Sequence, residues 1–275
     1  MSMLYKTLAA AVCAAVFSGP VLADTQNKAA ATEFTPQVGQ SGKDVIWVPT
    51  PQALVDRMLD MAKLTPEDHL VDLGSGDGRT VITAAKRGAT ARGIEYNPKM
   101  VELSQRAAQA EGVADRATFE RADIFSTDFS NATVLTLFLL PELNLRLRPT
   151  ILDMKPGTRV VSNSFNMEEW EPDETAQAVD GCTSYCNAYK WIVPAKVGGD
   201  WSMGAGKLEL VQSFQHVRGH LRTAEGKKLE ITDGHLNGPD IRFAVGDDRY
   251  TGQVDGKQMK GVINGSTPWQ ASFTR

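Results

Sequence analysis

The chain has 275 residues, of which 42% are hydrophobic and 23% are charged, as is ordinary for a soluble globular protein. Its formal net charge of −4, with no basic cluster interleaved with aromatic residues, argues against a nucleic-acid partner. This length allows one large domain, or a domain of about 150 residues with a smaller one.

The first 23 residues have the pattern of an export signal. Lys6 is their only charge, residues 8–17 form an apolar run, and Ala23 ends a cleavage motif of small or compact residues. The alternative is an uncleaved segment that anchors the protein to the inner membrane, although an apolar stretch of about 16 residues is short for a span. Residues 24–43 are expected to form a disordered leader. We therefore predict a periplasmic or secreted protein.

A glycine-rich turn at residues 71–79, VDLGSGDGR, is the most informative segment. An apolar run leads into glycines at positions 74, 76 and 78, and apolar residues take up helical spacing from Val81 onward. This pattern predicts a buried strand, a tight turn whose bare backbone can meet a ligand, and a helix. A dinucleotide fingerprint would need its third glycine at the position of Arg79, so NAD and FAD are disfavoured.

Two acids stand where the next two strands are expected to end. Residues 91–95 and 117–121 have the pattern of strands. Glu95 can accept hydrogen bonds from ribose hydroxyls at the tip of the second strand of a doubly wound sheet. Asp123 stands where an adenine amino group would be met, and Ile124 can cover the ring. Either acid alone would be interpreted as a solvated surface residue, but the glycine turn and both acids in this order indicate a nucleoside ligand.

These residues resemble the class I S-adenosylmethionine-dependent methyltransferases. The Val48-Pro49 segment, the glycine turn and residues 93–98 (GIEYNP) narrow the resemblance to a bacterial branch of the ATP synthase c-subunit lysine methyltransferase family. It covers roughly residues 46–166 and nothing in residues 196–275. It implies a doubly wound, seven-stranded-type α/β sheet with S-adenosyl-L-methionine as cofactor, and no metal. The candidate cofactor-binding residues are Pro49, Asp72, Gly74, Ser75, Gly76, Gly78, Glu95, Tyr96, Asp123 and Ile124.

The sequence indicates the binding site of the methyl acceptor less clearly than that of the cofactor. The fourth strand is expected to end at residues 138–142 (FLLPE), without the Asp/Asn-Pro-Pro-aromatic turn that many amino and amide methyltransferases of this fold carry. The remaining apolar rim suits the methylene stem of a lysine side chain. Desolvation and the charge of a nearby sulfonium would lower the pKa of the lysine amine. We therefore expect N-methylation of a protein lysine, with Pro141 and Asn144 lining its path. Alternatively, Leu139 and Leu140 belong to the core and the acceptor binds elsewhere.

Two other functions stay open at this point, because a fold does not choose its substrate. One is a small-molecule N- or O-methyltransferase. The other is a non-catalytic exported protein that binds S-adenosylmethionine and acts through a C-terminal β domain. No catalytic residue is assigned, since the electrophile already carries its activating charge.

Composition changes near residues 193–195. Residues 196–275 hold 13 of the 24 glycines and carry 11 basic and 9 acidic side chains. Short alternating segments separated by turn signals predict around eight strands in a closed or half-closed antiparallel barrel. The alternative is that these strands only cap the edge of the main sheet. Glycines 219, 234, 252 and 261 are expected at bends or close strand approaches. We thus expect a methyltransferase domain at 44–195 and an antiparallel β domain at 196–275.

Cysteine usage leaves three interpretations. Cys13 is lost with the signal, which leaves Cys182 and Cys186 at C-x3-C spacing. In an oxidising compartment the pair can close a small loop. The alternatives are two unrelated free thiols, or a metal site that would need further ligands.

Overall fold

The computed structural model describes residues 34–177 and 182–275, and Phe34–Arg275 forms one compact unit. The predicted signal at 1–23 and residues 24–33 of the predicted leader lie outside the described residues. Within the described part of the chain, no helix is both long and apolar enough to cross a bilayer. Residues 34–43 fell in the predicted leader, but the structure folds them into a turn. This turn continues into a hairpin, in which Gly39 N donates to Trp47 O at 2.9 Å and Trp47 N to Gln40 O at 2.8 Å.

The first part of the chain is a seven-stranded sheet in the order β3-β2-β1-β4-β5-β7-β6. Strands β1 to β5 are parallel, and β7 is antiparallel to both β5 and β6. The strands are β1 His69–Leu73, β2 Thr90–Glu95, β3 Ala117–Arg121, β4 Val134–Leu137, β5 Arg159–Asn163, β6 Glu174–Ala176 and β7 Ala188–Ile192. The helices are α1 Gln52–Met61, α2 Arg79–Lys86, α3 Pro98–Ala110 and α4 Pro141–Leu152. This confirms the predicted doubly wound α/β fold.

Helices cover both faces of the sheet, which explains the nearly continuous apolar run of β1. Leu70 packs with buried side chains of α1, α2 and α3 on one face. Val71 and Leu73 pack with Leu147 of α4 on the other. Parallel strands buried on both faces favour such runs over strict alternation. At the next strand end, Asn97 caps α3 by accepting from Lys99 N at 3.0 Å, and a proline follows at the first helical position.

Eight antiparallel strands close into a barrel in the C-terminal part of the chain. They are β8 Gly199–Met203, β9 Gly206–Ser213, β10 His216–Arg222, β11 Lys228–Asn237, β12 Asp240–Val245, β13 Asp248–Asp255, β14 Gln258–Ile263 and β15 Thr267–Phe273. Barrel closure excludes strands that only cap the main sheet. The glycines mark close approaches, since a Cβ at Gly261 would lie 1.8 Å from Thr251 O and one at Gly219 would lie 1.9 Å from Glu209 O.

The barrel packs against the face of the sheet that carries α4. The ring of Phe214, in the β9–β10 turn, stacks on Trp170 with centroids 6.0 Å apart. Gln215 Nε2 donates to Glu171 O at 2.9 Å. Trp170 is itself fully buried, so this contact continues the core of the sheet into the barrel.

Candidate functional site

A cavity of about 570 Å³ opens beside the carboxyl ends of β1, β2 and β4. In a doubly wound sheet, ligands bind outside the carboxyl ends of the strands, where the strand order reverses. Here that reversal lies between β1 and β4. Of the predicted site residues, the cavity wall includes Gly74, Glu95, Tyr96, Asp123 and Ile124. A larger hollow of about 860 Å³ lies on the outside of β11 to β14 and shares no residue with this cavity.

Gly74 of the glycine turn presents bare backbone to the cavity, whereas Gly76 and Gly78 do not line it. Gly74, Gly76 and Gly78 have φ angles of 80°, 54° and 81°, which residues with a Cβ rarely adopt. Gly74 is exposed to the cavity, whereas the other two are buried. A Cβ at Gly76 would lie 2.7 Å from Trp47 Nε1, and one at Gly78 would lie 2.7 Å from the Phe119 ring. The turn therefore has room for glycine alone at both buried positions.

Glu95 is held in a fixed orientation at the end of β2. Its Oε2 accepts from Gly76 N at 3.0 Å, and its Oε1 accepts from Asn97 N at 2.8 Å. The half-buried carboxylate also lines the cavity. Each ionised oxygen can accept more than one hydrogen bond, so both keep acceptor capacity for ligand hydroxyls. Tyr96 follows with 48% of its surface exposed on the same wall.

Asp123 is paired with a lysine of the N-terminal hairpin. Lys43 Nζ donates to Asp123 Oδ2 at 2.6 Å, and Phe125 N donates to Asp123 Oδ1 at 3.0 Å. These two hydrogen bonds lower the pKa of the Asp123 carboxyl, and the same pairing raises the pKa of Lys43. Lys43 Nζ also lies 5.1 Å from the centroid of the Tyr96 ring. The hairpin thus closes over the part of the cavity that Asp123 and Tyr96 line.

Asp72, Ser75 and Pro49 lie next to the cavity and do not line it. Asp72 is 7% exposed and accepts from Thr136 Oγ1 at 2.7 Å. Burial raises the pKa of Asp72 to about 7, against the opposing hydrogen bond from Thr136. Ser75 Oγ is buried and finds no hydrogen-bond partner among the residues that the structure describes. Pro49 is half-buried at the end of the hairpin, two residues after Trp47.

The far end of the cavity is apolar and aromatic. Its wall there consists of Phe138, Leu139, Leu140, Leu143, Phe165 and Tyr185. Leu139 is 4% exposed and Leu140 is 42% exposed, so only the first of the two is a core residue. Leu139 Cδ2 lies 3.2 Å from the position of a Cβ on Gly74, which places this wall beside the glycine turn.

Pro141 and Asn144 do not line the cavity. Pro141 begins α4, and Asn144 is fully buried one turn later. Asn144 Nδ2 donates to the backbone oxygens of Phe165 and Asn166, at 3.3 Å each. Asn144 therefore supports the segment that carries Phe165. Trp47, Lys43, Phe165 and Tyr185 were not singled out from the sequence, because their contacts join distant segments.

The described residues fit the cofactor that the sequence implies. In the glycine turn, neighbouring side chains already occupy the positions that a Cβ on Gly76 or Gly78 would take. Beside this turn, the cavity has two carboxylates whose orientation is fixed by hydrogen bonds, Glu95 and Asp123. The hydroxyl of Ser75, which has no partner among the described residues, lies against Gly93 of β2. No group of three or more His, Cys, Asp or Glu side chains in the described residues is placed to hold a metal ion.

Comparisons with known proteins find methyltransferases. Residues 72–174 match the family model of the ANTKMT methyltransferase domain. A protein-lysine N-methyltransferase of Saccharolobus islandicus is 42% identical over 152 residues, which is 54% of this chain and 94% of that protein. The human lysine N-methyltransferase of the ATP synthase c-subunit is 34% identical over 141 residues, which is 50% of this chain and 60% of the human protein.

A solved structure agrees as well. It is described as an RNA methyltransferase from Salinibacter ruber in complex with S-adenosyl-L-homocysteine, and it has a TM-score of 0.51 and 45% identity. The alignment covers 55% of this chain and 96% of that one. The protein is therefore a class I methyltransferase that uses S-adenosyl-L-methionine. As the sequence resemblance implied, the chain belongs to the family of S-adenosylmethionine-dependent protein-lysine methyltransferases.

Proposed function

We propose that the protein methylates the side-chain amine of a lysine in a protein acceptor. S-adenosylmethionine supplies a methyl group on a positively charged sulfur, so the acceptor must present a neutral nucleophile in line with it. The observation that carries the proposal is the apolar wall of Phe138, Leu139 and Leu140, which follows β4 directly and lies beside the glycine turn. Such a wall suits the four methylene groups of a lysine side chain.

The same wall favours the reactive form of the amine. A lysine with a reference pKa near 10.4 requires roughly 4 kcal/mol to be neutral at pH 7.4. Desolvation against apolar side chains disfavours the charged form and lowers the pKa of the amine. The residues of this chain thus bind and orient the acceptor and exclude water, and the reaction needs no dedicated base.

The charge of the cavity favours a cationic acceptor over RNA. Among the residues that the structure describes, its lining includes the acids Asp44, Glu95 and Asp123 and one base, Lys43, which is paired with Asp123. An acidic entrance attracts a lysine and repels the phosphates of a nucleic acid. We therefore propose a protein acceptor here, although the Salinibacter relative is described as an RNA methyltransferase.

The rim of the cavity favours a macromolecule over a small molecule. Four of the six exposed large hydrophobic side chains in the described residues lie on the cavity wall: Ile46, Tyr96, Leu140 and Tyr185. A cluster of exposed apolar side chains around one opening is typical of a surface that contacts another protein. A small acceptor would be bound inside the cavity and would leave this rim in water.

Transfer of a tritiated methyl group to an extract of the protein's own cells tests the proposal. We expect the label in the fraction that protease digests and nuclease does not, with a rate that rises steadily from pH 7 to about 9.5 as the amine becomes neutral. The control variant Glu111→Ala should transfer the label at the wild-type rate, because Glu111 lies outside the cavity wall and pairs with Lys86 at the surface. Label in small molecules or in nuclease-sensitive material would contradict the proposal.

We also propose that the protein is exported and that residues 1–23 are removed. The disulfide between Cys182 and Cys186, with Cα atoms 5.8 Å apart, supports an oxidising compartment. Protein isolated from its own cells should then begin at Asp24 and show no free thiol under denaturing alkylation. An intact Met1 on cytosolic protein would contradict export, and an intact Met1 on membrane-bound protein would favour the anchored alternative.

A further inference from the structure

A disulfide-closed loop places one aromatic side chain on the wall of the cavity. The bond between Cys182 and Cys186 closes a loop of five residues that includes Tyr185. Tyr185 has a φ of 55°, in the left-handed region that bulky residues avoid. Backbone strain of this kind persists where the surrounding structure enforces it, and it is concentrated at functional sites. The disulfide is the covalent constraint nearest to this strained residue.

Three rings from three separate segments meet at this point. Phe138 follows β4, Phe165 follows β5, and Tyr185 precedes β7. The ring centroids of Phe138 and Tyr185 are 5.3 Å apart, those of Phe165 and Tyr185 are 6.1 Å apart, and those of Phe138 and Phe165 are 6.2 Å apart. All three rings line the cavity. Because the rings contact one another, a ligand meets their cavity-facing surfaces rather than a space between them.

The backbone around these rings is bonded into one unit. Ser164 has a φ of 59°, and its N donates to Asn187 O at 2.7 Å, which ties the segment of Phe165 to the segment that follows the disulfide. Asn144 Nδ2 holds the Phe165 carbonyl from the other side, at 3.3 Å. A merely apolar contact would not need two left-handed residues and a disulfide. The arrangement indicates that the positions of the rings matter to the site.

The chemistry of aromatic faces selects a particular ligand. The face of an aromatic ring carries partial negative charge and attracts an ammonium group within about 6 Å of its centroid. The attraction is strongest for cations that lose water easily, and methylated ammonium groups are recognised in this way. A neutral group of the same shape receives the apolar contact without the electrostatic term.

We propose that Phe138, Phe165 and Tyr185 form an alkylammonium subsite on the acceptor side of the cavity, and that Tyr185 is its specificity-determining residue. The disulfide is the positioning element that holds Tyr185 against the other two rings. The proposal rests on the proposed lysine function, because it assigns to these three rings the cationic head of the methylated product, which forms only after the neutral amine has reacted.

Binding of two matched probes to the full chain tests the subsite, in the presence of saturating S-adenosyl-L-homocysteine. The probes are Nα-acetyl-Nε-trimethyl-lysine methylamide and its uncharged analogue, in which carbon replaces the quaternary nitrogen. We expect the cation to bind roughly 5- to 30-fold more tightly than the analogue, the range that a cation–π contact provides. Equal affinity for both probes would overturn the proposal.

Variants then separate Tyr185 from a general effect on folding. Tyr185→Leu and the double variant Cys182→Ala/Cys186→Ala should lose most of the preference for the cation, whereas Tyr185→Phe should retain it. The affinity for S-adenosyl-L-homocysteine should stay the same in all three, which shows that the cofactor half is folded. Unchanged cation preference in Tyr185→Leu would assign the subsite elsewhere and refute the proposal.

The failure of this inference is distinct from failure of the proposed function. The probe experiment measures binding and needs no methyl transfer. Label found on lysine, together with equal binding of both probes, would refute the subsite alone. Cation-selective binding, together with label on another kind of atom, would refute the proposed function and would leave the subsite as a binding site for a cation that is not the methyl acceptor.

Discussion

Replacement of Glu95 by alanine should weaken the binding of S-adenosyl-L-homocysteine roughly 10- to 150-fold. This range follows from the loss of about 1.5–3 kcal/mol that a charge-assisted hydrogen bond contributes. In the structure both carboxylate oxygens are already oriented by backbone amides, with Gly76 N at 3.0 Å and Asn97 N at 2.8 Å. The carboxylate therefore loses no further conformational freedom when the ligand binds. Removal of the side chain then removes all of its hydrogen bonds to the ligand.

The same replacement also leaves those two amides without their acceptor. Free protein should lose about 1–3 kcal/mol of unfolding free energy for each buried donor left unpaired, and less where water reaches it. Isothermal titration calorimetry below the unfolding transition separates this loss from the loss of affinity. Glu111→Ala is the matched control, since Glu111 is exposed and its pairing with Lys86 is worth less than about 1 kcal/mol. An unchanged dissociation constant in Glu95→Ala, with the control also unchanged, would refute the assignment of Glu95.

Neighbouring residues lead to three further predictions. Gly76→Ala should weaken cofactor binding and cost about 1–3 kcal/mol of stability, because the new Cβ would lie 2.7 Å from Trp47 Nε1 at a φ of 54°. In urea denaturation, Trp47→Ala should destabilise the Gly76→Ala variant less than it destabilises wild type, and equal costs in the two backgrounds would contradict the steric account. The pKa of Asp72 is raised to about 7, above its unfolded value near 3.9, so the stability that this group provides is present below pH 4 and is lost as the pH rises to 7. The unfolding free energy of Asp72→Asn should therefore rise relative to that of wild type by up to roughly 4 kcal/mol between pH 4 and pH 8. Parallel curves of stability against pH for the two proteins would contradict the raised pKa of Asp72. Lys43→Ala should return the lowered pKa of Asp123 toward its usual range, which NMR titration of the carboxyl carbon measures, and an unmoved pKa would show that the pairing is not maintained in solution.

Local sequence signals predicted where the glycine turn and Glu95 lie in the fold. The glycine turn and Glu95 lie at strand ends whose register follows from short apolar runs, and they meet because parallel strands end at one edge of the sheet. The hydrogen bond from Gly76 N to Glu95 spans only 19 residues. The alternation of the C-terminal segments likewise predicted an antiparallel barrel. Its strand β8 was not named in advance, because Trp201 is the one buried side chain among its five residues and the segment shows no apolar alternation.

The N-terminal hairpin that covers the cavity and the aromatic wall on the acceptor side depend on contacts between residues far apart in the sequence. No local sequence pattern predicts such contacts. Lys43 and Asp123 are 80 residues apart, and the polar composition around Lys43 indicated a leader rather than a hairpin. Asn144 was placed near the acceptor because it lies one turn into α4. Its side chain instead points to the Phe165 backbone, which the period of a short helix did not reveal. A disulfide-closed loop and a left-handed backbone conformation place Tyr185 on the wall. Neither feature produces a periodic hydrophobic pattern from which it could be predicted.

The most direct test of lysine methylation is the chemical identity of the methylated atom. Proteins labelled by the purified enzyme with tritiated S-adenosylmethionine would be hydrolysed in acid, and the labelled amino acid would be identified by chromatography and mass spectrometry. We predict that the label is recovered as methylated lysine, and that Glu95→Ala incorporates much less of it than wild type at subsaturating S-adenosylmethionine, while Glu111→Ala keeps the wild-type level. Label that mild base releases as methanol, or that stays on a hydroxyl oxygen, would contradict lysine methylation.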